Sequence, residues 1–165
     1  IALKAALTGH LVFSTLHTND ASSSITRLQN MGTPNYLISA ALTLIMAQRL
    51  ARKTCLDCRI KDENITPKLL NSIGFLPEQS ARATIYKGSG CEECSGVGYK
   101  GRMGIYEILE IDNELKAGIL SNLQQTELNA ISKKNGFRTM QDMGQDMLLS
   151  GDLSFAEYER VLQTN

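Results

Sequence analysis

Residues 8–21 read Thr8-Gly9-His10-Leu11-Val12-Phe13-Ser14-Thr15-Leu16-His17-Thr18-Asn19-Asp20-Ala21, or TGHLVFSTLHTNDA. The apolar run Leu11–Leu16, with β-branched and aromatic members, predicts a buried β-strand. Asn19 or Asp20 then caps a helix running to Met31, with Gly32 at its C′ position. A strand feeding a capped helix is the building unit of a layered α/β domain. The strand would deliver a histidine, hydroxyls and an acid at its tip, chemistry suited to a polar ligand.

Outward from that stretch, Thr33-Pro34 supplies an N-cap and N1 for a second helix with apolar positions Leu37, Ile38, Ala41, Leu42 and Ile45. A further strand carries Arg49 and Arg52, so residues 1–54 read as part of an α/β core. Residues 55–99 are loop-rich, with one helix near Pro67–Ile73 and glycines crowding the end: Gly88, Gly90, Gly96 and Gly98, then Gly101 and Gly104. Residues 103–111 alternate through Ile105, Glu107, Leu109 and Ile111, a strand signal. That strand, within residues 100–111, is expected to return to the core sheet, which makes the cysteine zone an insertion.

Residues 112–165 read as all-helical. Asp112 caps a helix with Leu115, Ile119 and Leu120, and a second, Glu127–Lys134, stops at Gly136 with Phe137 placed for a C″ contact. Lys133 and Lys134 suit its carbonyl end. Met140, Met143 and Met147 form one stripe of a third helix, as core packing or as an adaptable partner surface. Ser154 and Glu157 make a capping-box pattern for a fourth.

The 165 residues can bury a real core in one domain or two small ones. Lys plus Arg and Asp plus Glu balance at 17 each, so no bulk positive field points to nucleic acid. The apolar run 37–47 is too short to span a bilayer. The first residues, IALKAALTGH, carry neither an initiator Met nor a signal-peptide cleavage pattern and read as the interior of a domain. The chain is therefore expected to be a fragment.

All four cysteines fall in two Cys-x-x-Cys pairs, Cys55/Cys58 and Cys91/Cys94. Two intervening residues let one turn bring both sulfurs to one ion, and two such knuckles complete a tetrahedron. Soft thiolates in that geometry favour zinc over magnesium or calcium, and four of them leave no open position, so the metal is structural. Four thiolates around a dication leave a formal surplus of negative charge. Lys53, Arg59, Lys61, Lys87, Lys100 and Arg102 flank the pairs and outnumber Asp57, Glu92 and Glu93. The alternatives are two disulfides, which need an oxidising compartment, or a redox dithiol, which usually opens a helix in a βαβ unit.

The segment TGHLVFSTLHTNDA, with Arg27-Leu28, Met31-Gly32 and Ala47-Gln48-Arg49-Leu50, closely resembles the secretion ATPases. The cysteine pairs, Gly98-Tyr99-x-Gly101-Arg102-x-Gly104-Ile105-Tyr106-Glu107 and the helical tail fit the same resemblance, in the same order. It is nearest to the type IV pilus assembly (extension) ATPases and the type II secretion ATPase, and the wording 46–52 leans towards the pilus branch.

The resemblance implies a RecA-like ATPase core, of which this chain holds the C-terminal part, in a cytoplasmic homohexamer. It implies an inner-membrane platform protein as partner, pilin or pseudopilin polymerisation as the work done, and ATP with magnesium as cofactors of the intact protein. It identifies STLHTND as a histidine box: His17 resembles the histidine that approaches the γ-phosphate, and His10 belongs to the same box. Thr15, Thr18 and Arg49 follow as nucleotide-side candidates, although a strand-end histidine and paired or solvated arginines are equally ordinary readings.

One departure matters. No Gly-x-x-x-x-Gly-Lys-[Ser/Thr] loop occurs in these residues, and the Gly88–Gly104 run encloses a cysteine pair instead. The resemblance also implies that the acids holding magnesium precede the histidine box, so without a phosphate cradle and those acids the chain alone is expected not to hydrolyse ATP. The competing expectation is a non-catalytic, zinc-stabilised protein-interaction module.

Overall fold

A computed structural model describes residues 1–163. The chain forms helix α1 (Ala2–Leu7), α2 (Ala21–Asn30), α3 (Asn35–Ala41), strand β1 (Leu44–Thr54), β2 (Arg59–Lys61), α4 (Pro67–Ser72), α5 (Pro77–Arg82), β3 (Tyr86–Gly88), a 3₁₀ turn at Glu92–Cys94 and β4 (Tyr99–Glu110). Helices α6 (Asn113–Leu120), α7 (Gln125–Lys134), α8 (Met140–Ser150) and α9 (Phe155–Tyr158) follow, and α9 passes into a π turn at Glu159–Gln163. The last two residues of the helical tail lie outside the described residues.

The sheets are small. β1 pairs with β4 and β2 with β3, each as a two-stranded sheet. In the first, the Ile111 N–H donates to the Thr43 carbonyl and the Cys55 N–H to the Gly98 carbonyl, so the strands run antiparallel. In the second, Arg59 lies opposite Gly88 and Lys61 opposite Tyr86. The fold is thus mixed α and β, but the layered sheet expected around Leu11–Leu16 is absent from the described residues. Residues 10–18 adopt no regular secondary structure, and Leu11 and Phe13 are more than four-fifths exposed. A buried parallel strand exists only where neighbouring strands satisfy its backbone, and no strand pairs with this segment.

The chain divides into two compact units. The first comprises Ile1–Gln48 and Tyr106–Thr139; the second comprises Arg49–Ile105 and the chain from Met140 onward. The first unit centres on Ala21, Ile25, Ile38, Leu109, Ile111, Leu115, Ile119 and Leu128, with Ile45, Ala47 and Phe137 packed against them. Local signals explain its elements. Asp20 accepts the Ser23 N–H at 2.7 Å and Asp112 the Leu115 N–H at 2.8 Å, two side-chain N-caps. Gly32 (φ 79°) and Gly136 (φ 89°) end α2 and α7 in the left-handed region, and the Phe137 N–H returns to the Ser132 carbonyl. Pro34, rather than Thr33, takes the N-cap of α3, and α3 ends at Ala41, so Ile45 belongs to β1.

In the second unit α5 and both strands of the small sheet escape the sequence reading; Pro77 at the first position of α5 was its one signal. Gly144 of α8 makes room for Tyr158 and Leu162, whose atoms lie 2.4–2.8 Å from where a Cβ would stand. Met140 is buried, and Met143 and Met147 are half-buried, in keeping with core packing.

Glu157 is fully buried. Ser154 caps α9 as expected, accepting the Glu157 N–H at 3.3 Å, but the Glu157 carboxylate does not close the capping box. It turns instead to Arg52, taking its backbone N–H at 2.7 Å and its Nη2 at 2.7 Å, and to Arg160 Nε at 2.8 Å. Charge-assisted bonds from two guanidinium groups outcompete the capping-box amide. Arg52 in turn lies 4.1 Å over the Tyr99 ring, and the Tyr99 hydroxyl meets Ser154 Oγ at 2.9 Å.

Burial pushes the Glu157 carboxyl up, and the Arg160 and Arg52 hydrogen bonds outweigh it, bringing it to about 2 from an ordinary 4.5. A depressed acid contributes stability above its unfolded pKa and loses it as pH falls through the folded one. Chemical denaturation from pH 5 to 2 is expected to show wild type losing about 3 kcal/mol relative to Glu157→Gln, most of it below pH 4.5. Parallel pH profiles would remove the ion pair as the cause.

Candidate metal centre and the histidine segment

The Cys55-x-x-Cys58 pair sits on the turn between β1 and β2, and Cys91-x-x-Cys94 on the 3₁₀ turn between β3 and β4. The four sulfurs all lie within 4.8 Å of one another. Cys55 and Cys91 are 3.9 Å apart, Cys58 and Cys94 3.8 Å, and Cys91 and Cys94 3.7 Å. A tetrahedron of sulfurs bonded at about 2.3 Å to one ion has edges of about 3.8 Å, so the cluster has the dimensions of a tetrathiolate centre. Disulfide sulfurs stand at about 2.05 Å, and all four cysteines are free.

Glycine makes the approach possible. A Cβ on Gly88 would stand 2.0 Å from the Gly98 carbonyl oxygen, and one on Gly90 2.5 Å from that of Gly96. The end of β3, entering the second knuckle, and the loop leaving that knuckle therefore pass at backbone contact, which only residues without a side chain allow. The same segments turn their amides to sulfur: Gly90 N–H to Cys58 at 3.3 Å, and the Cys91 and Gly98 N–H groups to Cys94 at 3.2 Å each. Burial pushes the Cys94 thiol up, but the Cys91 and Gly98 amides and the neighbouring thiols outweigh it and lower it to about 6. Burial leaves Cys55 raised. A soft, closed, tetrahedral donor set with amide hydrogen bonds to sulfur fits a structural zinc ion, which would fix both knuckles in one place.

The flanking cations answer to carboxylates more than to the sulfurs. Lys53 pairs with Asp152, Lys61 with Glu63, Lys87 with Asp62 and Lys100 with Glu93. Arg59 lies 5.1 Å over Tyr86 and donates to the Ser150 carbonyl. Leu56 and Val97, one on each knuckle, are exposed.

The nucleotide-side candidates fall in both units. His17 and Thr15 are exposed in the irregular segment, and His10 Nδ1 lies 3.0 Å from Thr8 Oγ1. Thr18 Oγ1 meets Ser24 Oγ at 2.9 Å. Arg49 donates to the Val161 carbonyl within the π turn. Sequence reasoning did not single out Glu107 and Glu157 as buried acids: the alternation with Ile105, Leu109 and Ile111 was the available signal for Glu107, and Glu157 reads as the acid of a capping box.

The sequence matches the family model described as "Type II/IV secretion system protein" over residues 1–160. It is 42% identical over 95% of its length to the type IV pilus assembly ATPase PilB of Thermus thermophilus, covering 18% of that protein. It is 39% identical over 98% of its length to PilB of Pseudomonas aeruginosa, covering 28% of it. A putative type II secretion system protein E of Escherichia coli is also 39% identical, with 98% of this chain and 32% of that protein covered. The chain thus spans less than a third of the length of these relatives.

Metal analysis of the purified chain is expected to return one zinc per molecule, and Cys94→Ser to abolish it and melt the knuckle region. Gly98→Ala, at φ 76° and in contact with Gly88, is expected to cost at least about 2 kcal/mol in thermal or chemical denaturation. Metal-free protein with unchanged stability would overturn the assignment.

Proposed function

The chain belongs to the type II/IV secretion system protein family, and on that premise we propose that it is the C-terminal portion of a cytoplasmic, hexameric ATPase. That motor would power pilin or pseudopilin assembly in type IV pilus biogenesis or type II secretion, held at the inner membrane through a platform protein. The observation that carries the reading is the match itself: it runs through residues 1–160 and includes relatives named for both tasks. In this reading Thr15, His17 and Thr18, with His10 and Arg49, belong to the nucleotide side. An imidazole or guanidinium there would stabilise charge developing on a transferred phosphoryl group. The zinc ion would hold the knuckle region rigid and take no part in the chemistry.

Taken by itself, this segment is an inactive part. It carries no Gly-x-x-x-x-Gly-Lys-[Ser/Thr] loop, so the cradle for the phosphates would come from elsewhere in the longer protein. A second reading, a zinc-stabilised protein-interaction module, is favoured by the exposed Leu56 and Val97 on the two knuckles.

Among the described residues, no helix is long and apolar enough to cross a membrane. Calorimetric titration of the isolated chain with magnesium and ATP is expected to show no saturable binding. The longer protein that contains it is expected to turn ATP over, with His17→Ala lowering kcat by about tenfold or more. A longer protein that binds its platform partner yet hydrolyses no ATP would favour the second reading.

A further inference from the structure

Glu107 lies on β4 and is 4% exposed. Its Oε1 accepts the backbone N–H of Ala21, the first residue of α2 and 86 positions earlier in the chain. Ala21 is itself fully buried. The N-terminus of α2 is thus held by two carboxylates of different origin: Asp20 takes the Ser23 N–H, and Glu107 takes that of Ala21. Both carry the sign that a helix N-terminus favours.

These bonds bear on the histidine segment because nothing else regular holds it. Residues 10–18 lie in no sheet, and the segment's ordered end consists of Thr18 on Ser24, Asp20 on Ser23 and Ala21 on Glu107. His17 stands four residues before the last of these. Packing at this point on β4 needs no acid, since Leu109 and Ile111 of the same strand already fill the core of the unit. An apolar residue at 107 would bury as well, at lower desolvation cost, but could not accept a hydrogen bond. What a carboxylate adds is a directional link between β4 and the first turn of α2.

We propose that Glu107 is a positioning residue: it fixes the first turn of α2 on β4 and so sets the place and direction of the segment that presents His17. The proposal rests on the reading of His17 given above for its catalytic consequence, and on the Glu107–Ala21 bond for its structural one.

Amide exchange and imidazole resonances test the structural half in this chain. Glu107→Ala is expected to lower protection at Ala21 by about tenfold, the worth of one hydrogen bond, and to shift the His17 ring signals. Protection at Leu115 and Ile119 should stay unchanged. Glu107→Gln, which keeps length and an acceptor oxygen, should restore Ala21 and His17; Glu107→Asp, one methylene shorter, should not. If the alanine variant fails to fold, the Gln and Asp pair decides alone. In the full-length protein, Glu107→Ala is expected to lower kcat by about tenfold with the KM for ATP unchanged, and Glu107→Gln to recover it.

Unchanged Ala21 exchange, or Gln and Asp variants that behave alike, would overturn the proposal. So would a full-length alanine variant that loses stability while keeping kcat. A wild-type full-length protein without ATPase activity would instead remove the functional reading, leaving exchange at Ala21 to decide the role of Glu107.

Discussion

The second pair of sulfurs sits where the chain entering its knuckle and the chain leaving it come closer than side chains permit. That approach organises much of the second unit. Gly88 and Gly90 pass Gly98 and Gly96 at backbone contact, the freed amides turn to Cys58 and Cys94, and the Cys55 N–H closes on the Gly98 carbonyl. The glycines are therefore part of the centre as much as the cysteines are. A reduced, metal-free chain would hold the same four thiols buried or half-buried without a charge partner, which is costly unless they are protonated.

A similar logic governs the buried acids. Glu157 and Glu107 occupy sites from which water is excluded, and each is tolerated because donors are already in place. For Glu157 the donors are two guanidiniums, one stacked on Tyr99. For Glu107 a helix N-terminus serves. Replacing one partner alone leaves the other charge or amide exposed to the full desolvation penalty, so each site resists piecemeal change.

The features legible in the sequence are those whose cause is local. Asp20, Asp112 and Ser154 cap the helices that follow them because a side chain three residues back reaches the orphan amides. Gly32 and Gly136 end helices because only glycine sits easily at positive φ. The two Cys-x-x-Cys pairs announce their cluster through spacing alone. What stayed hidden depends on partners distant in the chain. The run Leu11–Leu16 has the composition of a buried strand, but composition cannot say whether neighbouring strands are present to pair with it. Glu157 finds Arg52 across 105 residues, and Glu107 finds Ala21 across 86; neither separation leaves a periodic trace. The strands of three residues, β2 and β3, are too short to show alternation.

Thirty-two residues, from Arg59 to Gly90, lie between the two knuckles and hold β2, α4, α5 and β3. In polymer terms, the metal centre closes this lobe into a ring. Ring closure costs entropy that grows only with the logarithm of length, about 0.6 kcal/mol for each doubling. Once the knuckles are pinned, lengthening or shortening the exposed turns of the lobe changes the closure entropy little, while its buried Leu70, Phe75 and Ile85 hold its packing. Its turns are where this architecture can accommodate new sequence, while the glycine-lined crossings at its exit stay fixed.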